Sequence, residues 1–288
     1  MKKLVLSFFV LCLSTTTTFA QSDPNFASDG FSPFWNNPAA TGSANSFSTN
    51  LIYQNLWPSI PSNFQNFAFN IEADTKFGLK NSMEKLNLPI GLNVVHQQMG
   101  LLDMQTINIP ISYPIKLKNS TLAIGVSAGI KRITYKLEGT SYFGEQFNYV
   151  DGSRFDLNAG LFWTGKNHYL GLSSTNLTQP TFDGYQASRH YNLQAGYRFK
   201  VGKHHIYPML NSVTDLVIIN TRIMTYFQFK EDIFSIGAGI SSHKNYYLGA
   251  TIKIMKFKLA YLYYENHSTL SNYSAGSHEV RLSFAIAK

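Results

Sequence analysis

From Thr106 to Lys116 the chain alternates with a period of two: Ile107, Ile109, Ile111, Tyr113 and Ile115 share one parity, and Thr106, Asn108, Ser112 and Lys116 the other. Successive side chains of an extended strand point to opposite faces, so this spacing specifies a strand with one apolar face. The pattern recurs. Leu122, Ile124, Val126, Ala128 and Ile130 oppose Ala123, Gly125, Ser127, Gly129 and Lys131. Phe155, Leu157, Ala159, Leu161 and Trp163 oppose Arg154, Asp156, Asn158 and Gly160. Tyr191, Leu193, Ala195, Tyr197 and Phe199 oppose His190, Asn192, Gln194, Arg198 and Lys200. Near the end, Val280, Leu282, Phe284 and Ile286 oppose Glu279, Arg281 and Ser283.

What decides where such strands can live is the composition of the two faces. The apolar rows end in aromatics, and the polar rows are rich in Gly, Asn, Ser and Gln. Charged residues are only 14% and aromatics 15% of the chain, against the ~25–35% charge of a soluble surface. Beyond the N-terminal leader no apolar run, Leu216 to Ile219 included, approaches the ~18 residues that cross a bilayer as a helix. The expected fold is therefore all-β: a transmembrane antiparallel β-barrel of about fourteen strands, apolar toward lipid and polar toward the lumen. A soluble β-sandwich also alternates, but its strand number and polar-face chemistry fit less well. Turn chemistry at Asp151-Gly152 and Asp183-Gly184 separates the strands in this reading.

At the N-terminus, Lys2 and Lys3 precede an apolar run from Leu4 to Leu13 and the small-residue site ending at Ala20, the plan of a secretory signal peptide. Residues 1–20 are read as that leader, with cleavage near Ala20. Cys12, the sole cysteine, lies inside its apolar run, where a lipidation site is not expected. Residues 21–45 are irregular, broken by Pro24, Gly30, Pro33, Pro38 and Gly42, yet they carry Phe26, Phe31, Phe34 and Trp35. Such aromatics should not stand in water, so the segment is expected to pack inside the barrel of residues 46–288 as a plug. Trp35 in solvent would contradict this.

The net charge of +8 falls by two when the leader is removed. Basic residues stand singly along the sequence, so nucleic acid is not an expected partner. His204 and His205 are adjacent on a strand and point apart, which prevents them from sharing a metal ion. Glu72 and Asp74 share the polar face, as acid–base carboxylates do, but partners for Lys or Arg in the lumen are the plainer reading. No GxSxG, HExxH, CxxC or phosphate-binding glycine loop is present. Neither enzymatic activity nor a cofactor is expected. A pore or hydrophobic-ligand channel stays open as an alternative to a binding role.

Several stretches resemble the PorP/SprF-type membrane proteins of the type IX secretion system of Bacteroidetes. Gln21 to Phe26 and Phe34-Trp35-Asn36-Asn37-Pro38-Ala39, with Gly42, are similar to the family's opening QDPxF and NPAxxG segments. Tyr53 to Trp57, Gly91 to Gly100, Asn158 to Trp163, Tyr169 to Ser173 and His190 to Phe199 resemble successive strands. The closing Leu270 to Val280, with Gly276, Ser277, His278 and Glu279, resembles the family's final loop and strand. Ala40-Thr41 and the ending Ile286-Ala287-Lys288 depart from the pattern. The resemblance implies a non-catalytic component of the outer membrane that aids secretion or surface attachment of proteins with C-terminal sorting domains, a gliding adhesin among them. Its implied partners are outer-membrane lipid, such a sorting-domain protein and other type IX subunits. Asn37, Pro38, Gly42, Gly276, Ser277, His278 and Glu279 are the motif residues, with a role either structural or partner-binding.

Overall fold

The computed structural model describes residues 26–59, 64–74, 88–135, 150–182, 185–230, 232–265 and 276–287. The leader, the motif residues from Gln21 to Asn25, the Asp183-Gly184 turn and the loop from Leu270 to Ala275 lie outside the described residues.

The barrel is an up-and-down meander. Its first half comprises β1 (Asn45–Asn55), β2 (Phe64–Ala73), β3 (Ile90–Met99), β4 (Leu102–Lys116), β5 (Ser120–Tyr135), β6 (Val150–Gly165) and β7 (His168–Thr175). After a small two-stranded hairpin, β8 (Thr181–Phe182) and β9 (Tyr185–Gln186), come β10 (His190–Tyr197) and β11 (Phe199–Val201). The rest are β12 (His204–Thr214), β13 (Ile219–Phe229), β14 (Phe234–Ser241), β15 (Tyr246–Ile254), β16 (Phe257–Glu265) and β17 (Ser277–Ala287). Each strand pairs antiparallel with its neighbours, and β17 returns to pair with β1 from Asn45↔Ala287 to Asn55↔His278. β10 and β11 both pair with β12 and are two parts of one strand interrupted at Arg198, whose amide turns away to Asn167 O. The result is a closed barrel of 14 strands. Closure leaves no unpaired strand edge, the condition for crossing a bilayer with strands.

The burial pattern is that of a soluble protein turned inside out. Ile107, Ile109, Ile111, Leu161, Leu172 and Leu248 are exposed, whereas Asn50, Asn66, Asn70, Ser127, Asn158 and Asn192 are buried. An 11-residue strand such as β1, at ~3.4 Å per residue and tilted ~40°, rises about 26 Å, which covers the apolar band of an outer-membrane barrel. Exposed aromatics mark both borders: Tyr113, Trp163, Phe199 and Phe257 near the chain termini, and Tyr53, Phe155, Tyr191 and Tyr246 near the opposite end. β5 and β6, at 16 residues each, run past the band.

This length accounts for one correction. Asp151-Gly152 is not a turn but lies in β6 opposite Thr134 and Ile133, and Arg132 grips the Asp151 carboxylate from β5 at 2.9 and 2.7 Å. The cross-strand pair keeps a turn-like dipeptide extended.

The strand ends near the termini are joined mostly by tight turns, at residues 117–119, 166–167, 202–203, 230–233 and 255–256, with 74–89 the exception. The opposite end carries the long connections 56–63, 136–149, 176–189 and 266–276, beside shorter turns at 100–101, 215–218 and 242–245. Outer-membrane barrels put short turns on the periplasmic side and long loops outside, which orients the chain with its termini toward the periplasm.

Candidate functional site

Residues 26–44 run through the lumen and make three short 3-10 turns, Asp29–Phe31, Pro33–Trp35 and Pro38–Ala40, before entering β1. Prolines at the start of the second and third turns supply φ values suited to them. Phe26 and Phe34 are 1% and 2% exposed, and Trp35 meets Phe26 in a tilted ring contact at 5.3 Å and packs beside Ile52, Ala68 and Val95.

Charged residues on the inner wall hold the upper part of the segment. The Glu279 carboxylate accepts the amides of Ala27 at 2.6 Å and Ser28 at 2.9 Å, and the side-chain amide of Gln54 at 3.0 Å. Arg281 donates to Ser28 O at 2.7 Å and to Asn50. Arg222 donates to Phe26 O at 2.7 Å and forms a buried ion pair with Asp29, which also accepts from Asn211. Two acids and two bases thus meet in a buried interior, each with hydrogen-bond partners. Such an arrangement tolerates burial, whereas loss of one member leaves an uncompensated charge.

The lower part is held by shape and by backbone bonds. Asn37, fully buried, caps its turn by accepting the amide of Ala39 at 3.0 Å and donates to Leu161 O and Leu172 O on β6 and β7. Pro38 is buried in the same turn. The wall is carved to admit these residues. A Cβ on Gly125 would lie 2.2 Å from Ala39 N, and one on Gly160 2.1 Å from Asn37 Oδ1. Gly42, at φ +66°, donates its amide to Glu72 at 2.7 Å, and Thr41 O accepts from Ser112. Glu72, read from sequence as a partner for Lys or Arg, accepts the Gly42 N–H and the Ser48 hydroxyl.

The motif residues therefore do not form one cluster. Asn37, Pro38, Gly42 and Glu279 converge on the internal segment. Ser277 is buried at the far end of β17 and accepts from Trp57 N, and Gly276 opens that strand at φ +86°. His278 faces outward, with Nδ1 2.7 Å from the Tyr261 hydroxyl. Sequence reasoning missed Asp29, Arg222, Gly125 and Gly160 as a functional set; charges and glycines on inward parities were the available signal. His204 lies against Phe227 and Phe229 on the outer face, while His205 pairs opposite the inward Gln228. Among the described residues no group of three or more potential metal ligands occurs.

Residues 18–284 match the family model described as type IX secretion system membrane protein PorP/SprF. No curated protein matches the sequence. Among solved structures, the outer membrane protein Omp33 of Acinetobacter baumannii superimposes with TM-score 0.51 at 9% identity, covering 85% of this chain and all of that one (100%). A TodX monoaromatic hydrocarbon channel mutant gives TM-score 0.49 at 10% identity over 90% of this chain and 93% of its own. At these identities the likeness to Omp33 concerns the fold alone, that of an outer-membrane barrel.

Proposed function

The chain belongs to the PorP/SprF family of type IX secretion system membrane proteins, and from that premise we propose that it is a non-catalytic docking component of the machine. After removal of a signal peptide near Ala20, it binds a secreted or surface protein bearing a C-terminal sorting domain, a gliding adhesin among the candidates, and aids its export or attachment. The observation that carries this reading is the occupied lumen. Residues 26–44 contact most of the barrel wall, from Ile52 and Val95 on one side to Gly160, Gln194, Arg222 and Glu279 on the others. A barrel filled by its own chain is suited to hold a partner at its ends rather than to pass solutes.

A mild-detergent pull-down of the tagged protein from its native outer membrane, read by mass spectrometry, tests this. Recovery of a sorting-domain protein or of other type IX subunits is expected. Folded barrel recovered alone would overturn the proposal, and steady conductance in a planar bilayer would transfer the weight to a pore.

A further inference from the structure

Basic residues that stand singly along the sequence are gathered by the fold at the periplasmic mouth, where successive hairpins bring the strand ends that carry them to one rim. The lumen-facing parities of β4, β6, β11 and β13 run out to Lys116, Lys166, Lys200 and Lys230. Just inside, Arg198, Lys253, Lys256, Lys258 and Arg281 line a cavity of about 530 Å³ beneath the internal segment, within the ~300–1,000 Å³ of pockets that bury a small ligand. Phe31 and Phe34 form its roof, and Tyr169 and Tyr207 belong to its wall.

The acids in this cup are already engaged. Asp232 binds Lys258 at 2.7 Å together with Gln228 and Ser235, and Glu72 holds Gly42 N–H and the Ser48 hydroxyl. Arg281 is committed to Ser28 O and Asn50. Arg198, laid over the Tyr207 ring at 5.3 Å, and the exposed Lys253 and Lys256 have no carboxylate partner among the described residues. A concave site in which one sign of charge predominates concentrates the field and attracts counter-charge.

We propose that this mouth is a docking cup for an acidic segment of a periplasmic protein, its carboxylates meeting Arg198, Lys253 and Lys256 and an apolar residue resting on the half-buried Phe31. The proposal rests on the outer-membrane orientation given above. Anionic lipid is the less suited occupant. The cations extend the lumen-facing rows, whereas the lipid-facing rows of the strands at the same border carry Leu117, Trp163, Val201 and Phe257.

The test uses the full-length barrel in detergent and a short fluorescent peptide rich in Glu and Asp with one Phe, its Lys-rich counterpart, and vesicles containing phosphatidylglycerol. The acidic peptide is expected to bind, to weaken as salt shortens the Debye length, and to lose about tenfold in affinity in Lys253→Gln/Lys256→Gln, an effect of two partly screened pairs. Lys253→Glu/Lys256→Glu should abolish binding. Heat-modifiable gel mobility verifies that each variant is folded. Equal peptide binding by wild type and the charge-reversed variant overturns the proposal, as does loss of vesicle binding without any peptide binding. Since the peptide needs no secretion partner, this outcome is independent of whether the native pull-down recovers cargo.

Discussion

At the scale of single residues, the internal segment depends on a small set of groups whose removal has unequal costs. Replacing Asp29 by Ala leaves the Arg222 guanidinium buried without its anion, and truncation of one partner of a buried pair costs about 3–5 kcal/mol. Asp29→Ala should therefore lower the unfolding temperature in detergent far more than the paired change Asp29→Leu/Arg222→Met, which removes both charges; equal losses would show that the pair is not the anchor. Gly160→Ala drives a methyl into Asn37, an overpacking worth about 1–3 kcal/mol, and protease susceptibility within residues 26–44 should rise. An unchanged digestion pattern would contradict the close fit. Far from the lumen, Asp215 heads the loop between β12 and β13. Burial pushes its carboxyl up, but the amides of Ile218 and Val217 outweigh this and hold it below the usual carboxylate range. A depressed folded value means that the stabilisation is present above the unfolded pKa of about 3.9 and is lost as pH falls through the folded one. NMR titration of the Val217 and Ile218 amides should give a midpoint below about 3.9, absent in Asp215→Asn. The glycines facing Asn37 and Ala39 were visible in the sequence only as polar-face residues. Nothing in a period of two indicates what occupies the space they leave.

At the scale of elements, alternation made the strands legible because each lies between two unlike solvents, lipid and lumen, and the parity of Ile107 to Ile115 or Phe155 to Trp163 records that directly. Boundaries were less legible. The Asp151-Gly152 dipeptide has turn chemistry, yet a cross-strand Arg132 keeps it in β6. The parities of Tyr197 and Phe199 carry on through the interruption at Arg198, so a sequence pattern passes over a break that the backbone makes. The contacts of the internal segment were illegible for a different reason: Ala27 and Glu279 are 252 positions apart, and no local periodicity spans that distance. As an element, the segment has a clear test. Deletion of residues 26–44 with the leader retained should convert a silent barrel into one with steady conductance in a planar bilayer, if the barrel still folds by gel mobility. A folded, silent deletion variant would mean that the lumen is closed by other means.

The whole molecule is polarised. The periplasmic mouth collects a surplus of cations over acids among the described residues, whereas acids such as Asp103, Asp151, Asp156, Asp215 and Glu265 sit toward the outer end. Composition gave the net charge but not this separation, which arises only when hairpins bring distant turns to one rim. The buried network adds a consequence for assembly. Glu279 and Arg281, which hold the first described residues of the chain, belong to β17, the strand that also closes the cylinder against β1. The bonds that secure Ala27 and Ser28 cannot form until β17 is in place, and the closing strand carries two buried charges whose wall partners, Gln54 and Asn50, are completed by the segment. Sealing the wall and filling the interior are therefore one cooperative step. A hollow barrel would leave Glu279 and Arg281 buried with fewer partners, a cost that favours the filled form.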